Sequence, residues 1–280
     1  MKKHTLKCKV TTPIFCYGAD GETPDLRVPS LKGALRFWWR AVHPDLSLPE
    51  LRRKESEIFG GAGDNESIKS SFSMQITNLR RTTKKIQALP HKNNSKFKKK
   101  ATMVNTTFDI IIRPKNKEII KLLRLTSILG GIGARSRRGY GCFQIELIDE
   151  KEIKLNLDQE RIIHLIKEIN PNFDLGNIYT RKYPYLQKVE IGKPIDSYDE
   201  LLKIIGRASH NFDTPYTGTT DKSIAHSSRY ASPIYVSVYQ QNEQYYPIIS
   251  TLKRTIRVAN NHREEEKNKN NFIKAILGGE

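Results

Sequence analysis

Six hydrophobic patterns follow one another in the first 150 residues, and their order constrains the fold more than any other feature of the sequence. A strand alternates apolar and polar residues, whereas a helix repeats apolar residues every three or four positions. These rules predict strands at 4–12, 71–79, 102–112 and 140–148, and helices at 30–43 and 116–129. We expect Ser30 to be the N-cap of the first helix and Pro44 to end it.

The order strand, helix, strand, strand, helix, strand is that of the split βαβ, or ferredoxin-like, sandwich. The second half repeats this order without a pattern for the fourth strand: strand 185–192, helix 198–210, strands 233–240 and 244–252, and helix 260–277. We therefore predict an α+β protein of two ferredoxin-like (RRM-like, βαββαβ) domains, the second incomplete at its C-terminus. Residues 1–150 form the first domain. Residues 151–280 form a helix-bearing connector and the second, degenerate domain.

Positive charge is concentrated in the first half. Lys and Arg exceed Asp and Glu by 48 to 30, a formal charge of +18, and residues 1–150 hold +15 of it (29 basic, 14 acidic). The densest run, at 80–100, has nine basic residues and no acid. We predict a mobile basic loop here that contacts a nucleic-acid backbone, with a merely solvated insertion as the alternative.

Several classes of protein are excluded by simple features. The three cysteines form no CxxC pair, which disfavours a disulfide framework or a structural zinc site. No apolar run approaches the roughly 20 residues of a membrane helix, and lysines interrupt the N-terminal segment where a secretory signal would be apolar. We therefore expect a cytoplasmic protein without a membrane partner.

The first predicted helix, VPSLKGALRFWWR, has a cationic face. At about 100° per residue, Lys32, Arg36 and Arg40 lie one turn apart, while Trp38 belongs to the apolar face. Trp39 falls on the border between the two faces, where it could serve either the core or a ligand. Like charges at this spacing repel, so the face suits a polyanion; a solvated surface is the alternative.

A second motif, LGGIGARSRRGYG at 129–141, combines five glycines with three arginines. Glycine allows positive φ and close approach of a ligand, and arginine forks suit phosphate. The motif lacks the Walker A spacing, and it follows a helix, whereas a dinucleotide fingerprint precedes one. Glycines needed for steric reasons alone are the remaining alternative.

Catalytic machinery is not evident in the sequence. The histidines form no HExxH, HD or comparable ligand pattern, and no GxSxG elbow or Cys–His nucleophile is present. We predict no catalytic residue, no metal site and no cofactor.

The motifs VPSLKGALRFWWR, EIFGGAG and GGIGARSRRGYG, with TPIFCYGAD and RYASPIYV, resemble the RAMP superfamily of CRISPR effector proteins. Within it, the sequence is most similar to the first subunits of type III-B (Cmr) complexes. The resemblance implies assembly with other Cmr-type subunits and contact with crRNA or target RNA near the 3′ end of the guide, without a cleavage role. Transferred to this sequence, the RNA-binding candidates are Lys32, Arg36, Trp39, Arg40, Gly131, Gly133, Arg135, Arg137 and Arg138, with Arg27 and Arg229 as weaker candidates.

The leading hypothesis is a non-catalytic RNA-binding subunit of a ribonucleoprotein. One alternative is a metal-independent RAMP endoribonuclease that processes crRNA, with His4 or His43 as its histidine. The other is a purely structural capping subunit whose basic surface meets an acidic protein.

Overall fold

The computed structural model describes residues 2–62, 67–92, 97–153, 156–212, 231–253 and 262–278. The first half contains β1 (His4–Val10), α1 (Val28–Ala41), α2 (Leu48–Phe59), β2 (Gly61–Ala62), β3 (Ser67–Ile68), β4 (Phe72–Arg80), β5 (Thr83–Gln87), β6 (Lys98–Thr102), β7 (Thr107–Pro114), α3 (Glu118–Leu129), β8 (Phe143–Ile148) and β9 (Lys151–Glu152). The second half contains α4 (Gln159–Ile169), β10 (Leu186–Ile191), α5 (Tyr198–Asn211), β11 (Ile234–Gln241), β12 (Gln244–Leu252) and α6 (His262–Leu277).

The main sheet of the first half has the strand order β4-β7-β1-β8-β9, with antiparallel pairing throughout. The strands β1, β4, β7 and β8 and the helices α1 and α3 are those that the hydrophobic patterns predict, whereas the short edge strand β9 was not predicted. In β1, the alternation buries Leu6, Cys8 and Val10 on one face. Helices α1 and α3 pack together over this sheet and contribute Leu35, Trp38 and most of α3 to the core.

The start of α1 differs from the prediction. The helix begins at Val28, its N-cap is Arg27, and no side chain caps it, so the prediction of Ser30 as N-cap is wrong. Pro29 explains the earlier start, because proline fits the first turn, where its missing N–H is not needed. Ser30 lies inside the helix, and its hydroxyl is 3.3 Å from Cys16 Sγ.

Helix α2 was not predicted. Ser47 caps it: its hydroxyl accepts the Glu50 N–H while the Glu50 side chain accepts the Ser47 N–H, a complete capping box. The helix packs against α1 through Leu51 and Phe59, both buried.

The basic run at 80–100 is also different from the prediction. Instead of a mobile loop, β5 and β6 pair as the two antiparallel strands of a hairpin; residues 93–96, between them, lie outside the described residues. The hairpin is tied to the body at its base, where Ile14 and Thr102 exchange two backbone hydrogen bonds of 2.8 and 3.0 Å. Ala88 and Ala101 are completely buried beneath it. Burial of these small apolar residues gives the lysine-rich segment a fixed structure.

The second half forms a three-stranded antiparallel sheet, in the order β10-β12-β11, within the described ranges. One of its faces packs on α3 through Tyr235 and Ile248, and the other packs on α5 and α6 through Val236 and Ile249. The two halves thus share a core. In the part of the chain that the structure describes, no helix is long and apolar enough to cross a bilayer.

Candidate nucleic-acid interface

The two arginines of α1 have a carboxylate partner within the molecule. Glu55 on α2, whose side chain is only 12% exposed, accepts hydrogen bonds from Arg36 (3.0 Å) and Arg40 (2.6 Å). Arg36 also donates to the carbonyls of Phe59 and Gly60. These contacts hold α2 against α1. One carboxylate balances one of the two guanidinium charges, and the side chains of Arg36 and Arg40 are 32% and 39% exposed, so their contact with RNA stays a prediction.

Trp39 lies in the core. It is 5% exposed, its ring stacks on His43 at 4.3 Å between centroids, and it packs edge-on against Phe59. Of the two roles that its border position allows, the structure shows Trp39 in the core, and its contact with RNA stays a prediction. Lys32 is half-buried, with Nζ 5.2 Å from the Phe72 ring centroid. Burial, with a smaller effect from the Arg36 charge, lowers the pKa of Lys32.

Two arginines of the glycine- and arginine-rich loop join the halves of the molecule. Arg137 donates to the carbonyl of Ser232, and its guanidinium lies 5.1 Å from the Phe37 ring. Arg138 donates to the carbonyl of Ile234 (3.2 Å) and lies 5.2 Å from the ring of Phe272 on α6. Burial, reinforced by the neighbouring arginine charges, lowers the pKa of Arg138 to about 10. Both side chains are half-buried and contact the second half of the molecule, and the RNA-facing role of Arg137 and Arg138 stays a prediction.

The glycines of this loop are required by close backbone contacts. A Cβ on Gly131 would lie 2.7 Å from the carbonyl oxygen of Tyr140. Gly133 has φ of +86°, and a Cβ there would lie 2.3 Å from the carbonyl oxygen of Phe15. The structure thus favours the steric alternative for these two glycines over close approach of a ligand.

Arg135 and Arg27 differ from the other candidate arginines. Arg135 has φ of +62°, lies 5.8 Å from the Tyr140 ring, and has no acceptor for its buried Nε. Arg27 is exposed and donates to the carbonyl of Tyr17 at 3.4 Å. Arg229 lies outside the described residues, so its predicted role is not addressed.

A strongly basic surface lies on the β5–β6 hairpin. Its lysines are not among the individual residues predicted to bind RNA. A cleft of about 700 Å³ separates the hairpin from the loop at 17–24, and we call it the hairpin groove. Its lining residues are Tyr17, Gly21, Glu22, Thr23, Thr83, Lys84, Lys85, Lys98, Lys99 and Lys100. Arg27 borders the groove through its bond to Tyr17.

The five lysines of the hairpin groove have no ion-pair partner among the residues described. Lys85 stands directly opposite Lys100 in the ladder, and like charges at directly opposed positions destabilise a sheet. One carboxylate, that of Glu22, lines the groove. The hairpin therefore holds a local excess of positive charge that an anion would stabilise.

Aromatic rings accompany these lysines. Lys99 Nζ lies 5.7 Å from the Tyr17 ring and 5.5 Å from the Phe97 ring. Phe97 is 48% exposed, an unusual position for so large an apolar side chain. Lysines interleaved with aromatic rings are typical of surfaces that bind single-stranded nucleic acid.

The two histidines proposed for catalysis have structural partners. His4 Nδ1 lies 2.6 Å from the carboxylate of Asp149, and His43 Nδ1 lies 2.6 Å from the carbonyl oxygen of Trp39. Burial lowers the pKa of His43. Neither contact places an imidazole at the glycine- and arginine-rich loop. No group of three metal-ligating side chains occurs in the described part of the chain.

Comparisons of sequence and of structure with known proteins point to the same class of protein. The RAMP superfamily model matches residues 7–144. The crystal structure of apo Cmr1 from Pyrococcus furiosus superposes with a TM-score of 0.61 at 17% identity, covering 99% of this chain and 97% of that one. A chain from the cryo-EM structure of type III-B Cmr-beta bound to cognate target RNA gives 0.61 at 12% identity, covering 98% and 99%. The chain thus has the fold of these structures, with a RAMP-superfamily match over its first half.

Within that class, the similar curated sequences are Cmr1 proteins of Pyrococcus furiosus. Cmr1-1 is 28% identical over 140 residues, covering 44% of this chain and 41% of the relative. Cmr1-2 is 25% identical over 173 residues, covering 50% of this chain and 92% of the relative. The match to Cmr1-1 thus spans less than half of that protein. The resemblance to the RAMP superfamily and to subunit one of Cmr complexes, predicted from the motifs, is confirmed.

Proposed function

We propose that this protein is a non-catalytic RNA-binding subunit of a type III-B (Cmr) ribonucleoprotein in antiviral defence. It would assemble with other Cmr-type subunits and contact crRNA or target RNA near the 3′ end of the guide, in the cytoplasm. The similar curated sequences are Cmr subunits, and one structural neighbour is part of a complex with target RNA. The same proposal includes two ferredoxin-like domains, at 1–150 and 151–280. The strand orders β4-β7-β1-β8 and β11-β12-β10 support this division, the second lacking a fourth strand in the described ranges.

The unpaired lysines of the hairpin groove are the observation on which RNA binding rests. Two of them, Lys85 and Lys100, are held opposite each other by the ladder, and a phosphate between them would replace repulsion by attraction. Such contacts bind the RNA backbone and leave sequence to be recognised by base pairing with the guide. This proposal adds the hairpin, with Arg27 at its border, to the predicted RNA-binding residues of α1 and of the glycine- and arginine-rich loop.

The test replaces three groove lysines without touching the core. In the variant Lys84→Gln/Lys98→Gln/Lys100→Gln, all three positions are exposed. Each lost phosphate contact to a single strand removes about 0.7 from the slope of log affinity against log salt, so we expect the slope to flatten by about 2. Affinity for a labelled single-stranded RNA should fall roughly tenfold or more at low salt.

The matched control removes three exposed lysines elsewhere, in Lys115→Gln/Lys117→Gln/Lys167→Gln. It has the same change in net charge, so it measures the effect of general electrostatic attraction. Equal slopes for the two triple variants would overturn the hairpin groove as the interface. If wild-type protein fails to bind RNA at moderate salt, the structural capping role is favoured instead. Specific RNA cleavage in EDTA that His43→Ala abolishes would favour the endoribonuclease.

A further inference from the structure

A second group of basic side chains lies where the turn of the hairpin meets α5. We call it the junction cluster, and it consists of His91, Lys92, Arg135, Arg207 and His210. These residues come from three elements: the hairpin turn, the glycine- and arginine-rich loop, and the last turns of α5. Neither the predicted site residues nor the hairpin groove includes the histidines or Arg207.

The geometry of the junction cluster is fixed by packing. The imidazole rings of His91 and His210 stack with centroids 5.5 Å apart and planes 27° apart. His91 fits closely over Gly206, since a Cβ on that glycine would lie 2.5 Å from His91 Nδ1. That nitrogen is buried without a hydrogen bond. For the other ring nitrogen, Nε2, no hydrogen bond to a described residue is present.

Among the residues that the structure describes, no carboxylate pairs with this cluster. None of its five side chains forms an ion pair with a described residue, and Asp199, the nearby acid of α5, pairs with Lys203 at 2.9 Å. Burial lowers the pKa of His91, and the charges of His210, Lys92, Arg135 and Arg207 add to the effect. Arg135 also keeps a buried Nε without an acceptor. Packing thus holds several hydrogen-bond donors and positive charges together without a carboxylate partner in the described ranges.

We propose that the junction cluster is a binding site for a phosphate group of RNA, a proposal that rests on the function proposed above. Phosphate offers several strong acceptor oxygens and matches guanidinium forks, and imidazolium adds further donors. A neutral ligand would leave the charge repulsion in place, whereas a phosphate relieves it. The site would hold one phosphate beside the hairpin groove, either an internal phosphodiester or a terminal phosphate.

Phosphate binding at this site should depend on pH. Burial lowers the pKa of His91 in the free protein, and a bound anion favours the protonated imidazole. Affinity for RNA should therefore rise as the pH falls from 8 to 6, by about three- to tenfold. Tyr140, beside Arg135, has its pKa raised to about 12, chiefly by burial, and does not titrate there.

The test compares two double variants. Arg207→Gln/His210→Gln removes the two exposed members of the cluster on α5. Arg52→Gln/His164→Gln makes the same chemical change at exposed positions of α2 and α4. RNA affinity is measured at pH 6 and pH 8, with one RNA sequence bearing a 3′-hydroxyl, a 3′-phosphate or a 5′-phosphate. Inorganic phosphate serves as a competitor.

We expect Arg207→Gln/His210→Gln to lose about five- to tenfold in affinity at pH 6 and most of the pH dependence, and the control to keep both. If the loss is equal for all three RNAs, the site holds an internal phosphodiester. If it is confined to one phosphorylated end, the site holds that terminus. Equal affinities for the two double variants at both pH values would overturn the site. The variant Lys84→Gln/Lys98→Gln/Lys100→Gln distinguishes failure of this site from failure of the proposed function. If only the junction cluster is wrong as a site, this variant still loses RNA affinity.

Discussion

Replacement of Gly133 by alanine tests whether the glycine- and arginine-rich loop is built by packing or for a ligand. The residue has φ of +86°, and its new Cβ would lie 2.3 Å from the carbonyl oxygen of Phe15. Left-handed backbone costs a non-glycine residue about 1–2 kcal/mol. Relief of the contact would move the loop and weaken the 2.8 Å hydrogen bond from Ala134 N–H to Phe15, worth about 1 kcal/mol. We expect a total loss of about 2–3 kcal/mol.

At roughly 2–4 °C per kcal/mol, this loss should lower the Tm by about 5–10 °C in differential scanning calorimetry. Gly33→Ala is the control: no atom lies within 4 Å of the new Cβ, and alanine in an exposed helix position should stabilise α1 by up to about 1 kcal/mol. If Gly133→Ala keeps the wild-type Tm but loses RNA affinity, packing does not require the glycine, and its role is to allow the approach of a ligand.

Three further variants test the internal partners of charged groups. Glu55→Gln removes the counter-charge of the two α1 arginines and should lower the free energy of unfolding by about 1–3 kcal/mol, measured by urea titration, while the salt slope of RNA binding stays unchanged. Arg138→Met removes a hydrogen bond to Ile234 and should cost about 1–3 kcal/mol, again without changing the salt slope; a flatter slope would instead indicate a phosphate contact. The carboxyl of Asp149 is partly desolvated, but hydrogen bonds from the Thr5 N–H and from His4 lower its pKa. Its contribution to stability is therefore present above about pH 4 and is lost as the pH falls through the pKa of the folded state. Asp149→Asn should therefore be less stable than wild type at pH 6, and the difference should shrink in titrations below pH 4; a constant difference would contradict the linkage.

The order of elements could be predicted from the sequence because it depends on local periodicity. The alternation of β1 and the apolar stripe of α3 both appear in the structure close to their predicted limits. Helix α2 could also have been predicted from the sequence, since Ser47 and Glu50 form a capping-box signature around Pro49. The β5–β6 hairpin could not have been predicted in this way, because lysine-rich strands have low β-propensity. Its stability comes from contacts with Ile14 and with the core of the second half, which local sequence does not contain.

The candidate site was harder to predict than the fold, because the sequence shows which residues are charged but not which charges are paired. Arg36 and Arg40 have the spacing of a polyanion-binding face, yet both pair with the single carboxylate of Glu55, on a separate helix. Pairing with a carboxylate depends on tertiary packing, as does the stacking of His91 on His210.

The internal pairing of cations explains where the remaining positive charge is found. The arginines of α1 and of the glycine- and arginine-rich loop hold elements together: Arg36 and Arg40 contact α2, and Arg137 and Arg138 contact the start of β11. Guanidinium groups suit this role because they can donate to several acceptor oxygens at once. The groove cations are lysines, whose flexible, strongly hydrated ammonium groups suit a backbone ligand of variable position. This difference between arginine and lysine supports the proposal that the hairpin groove binds an RNA strand.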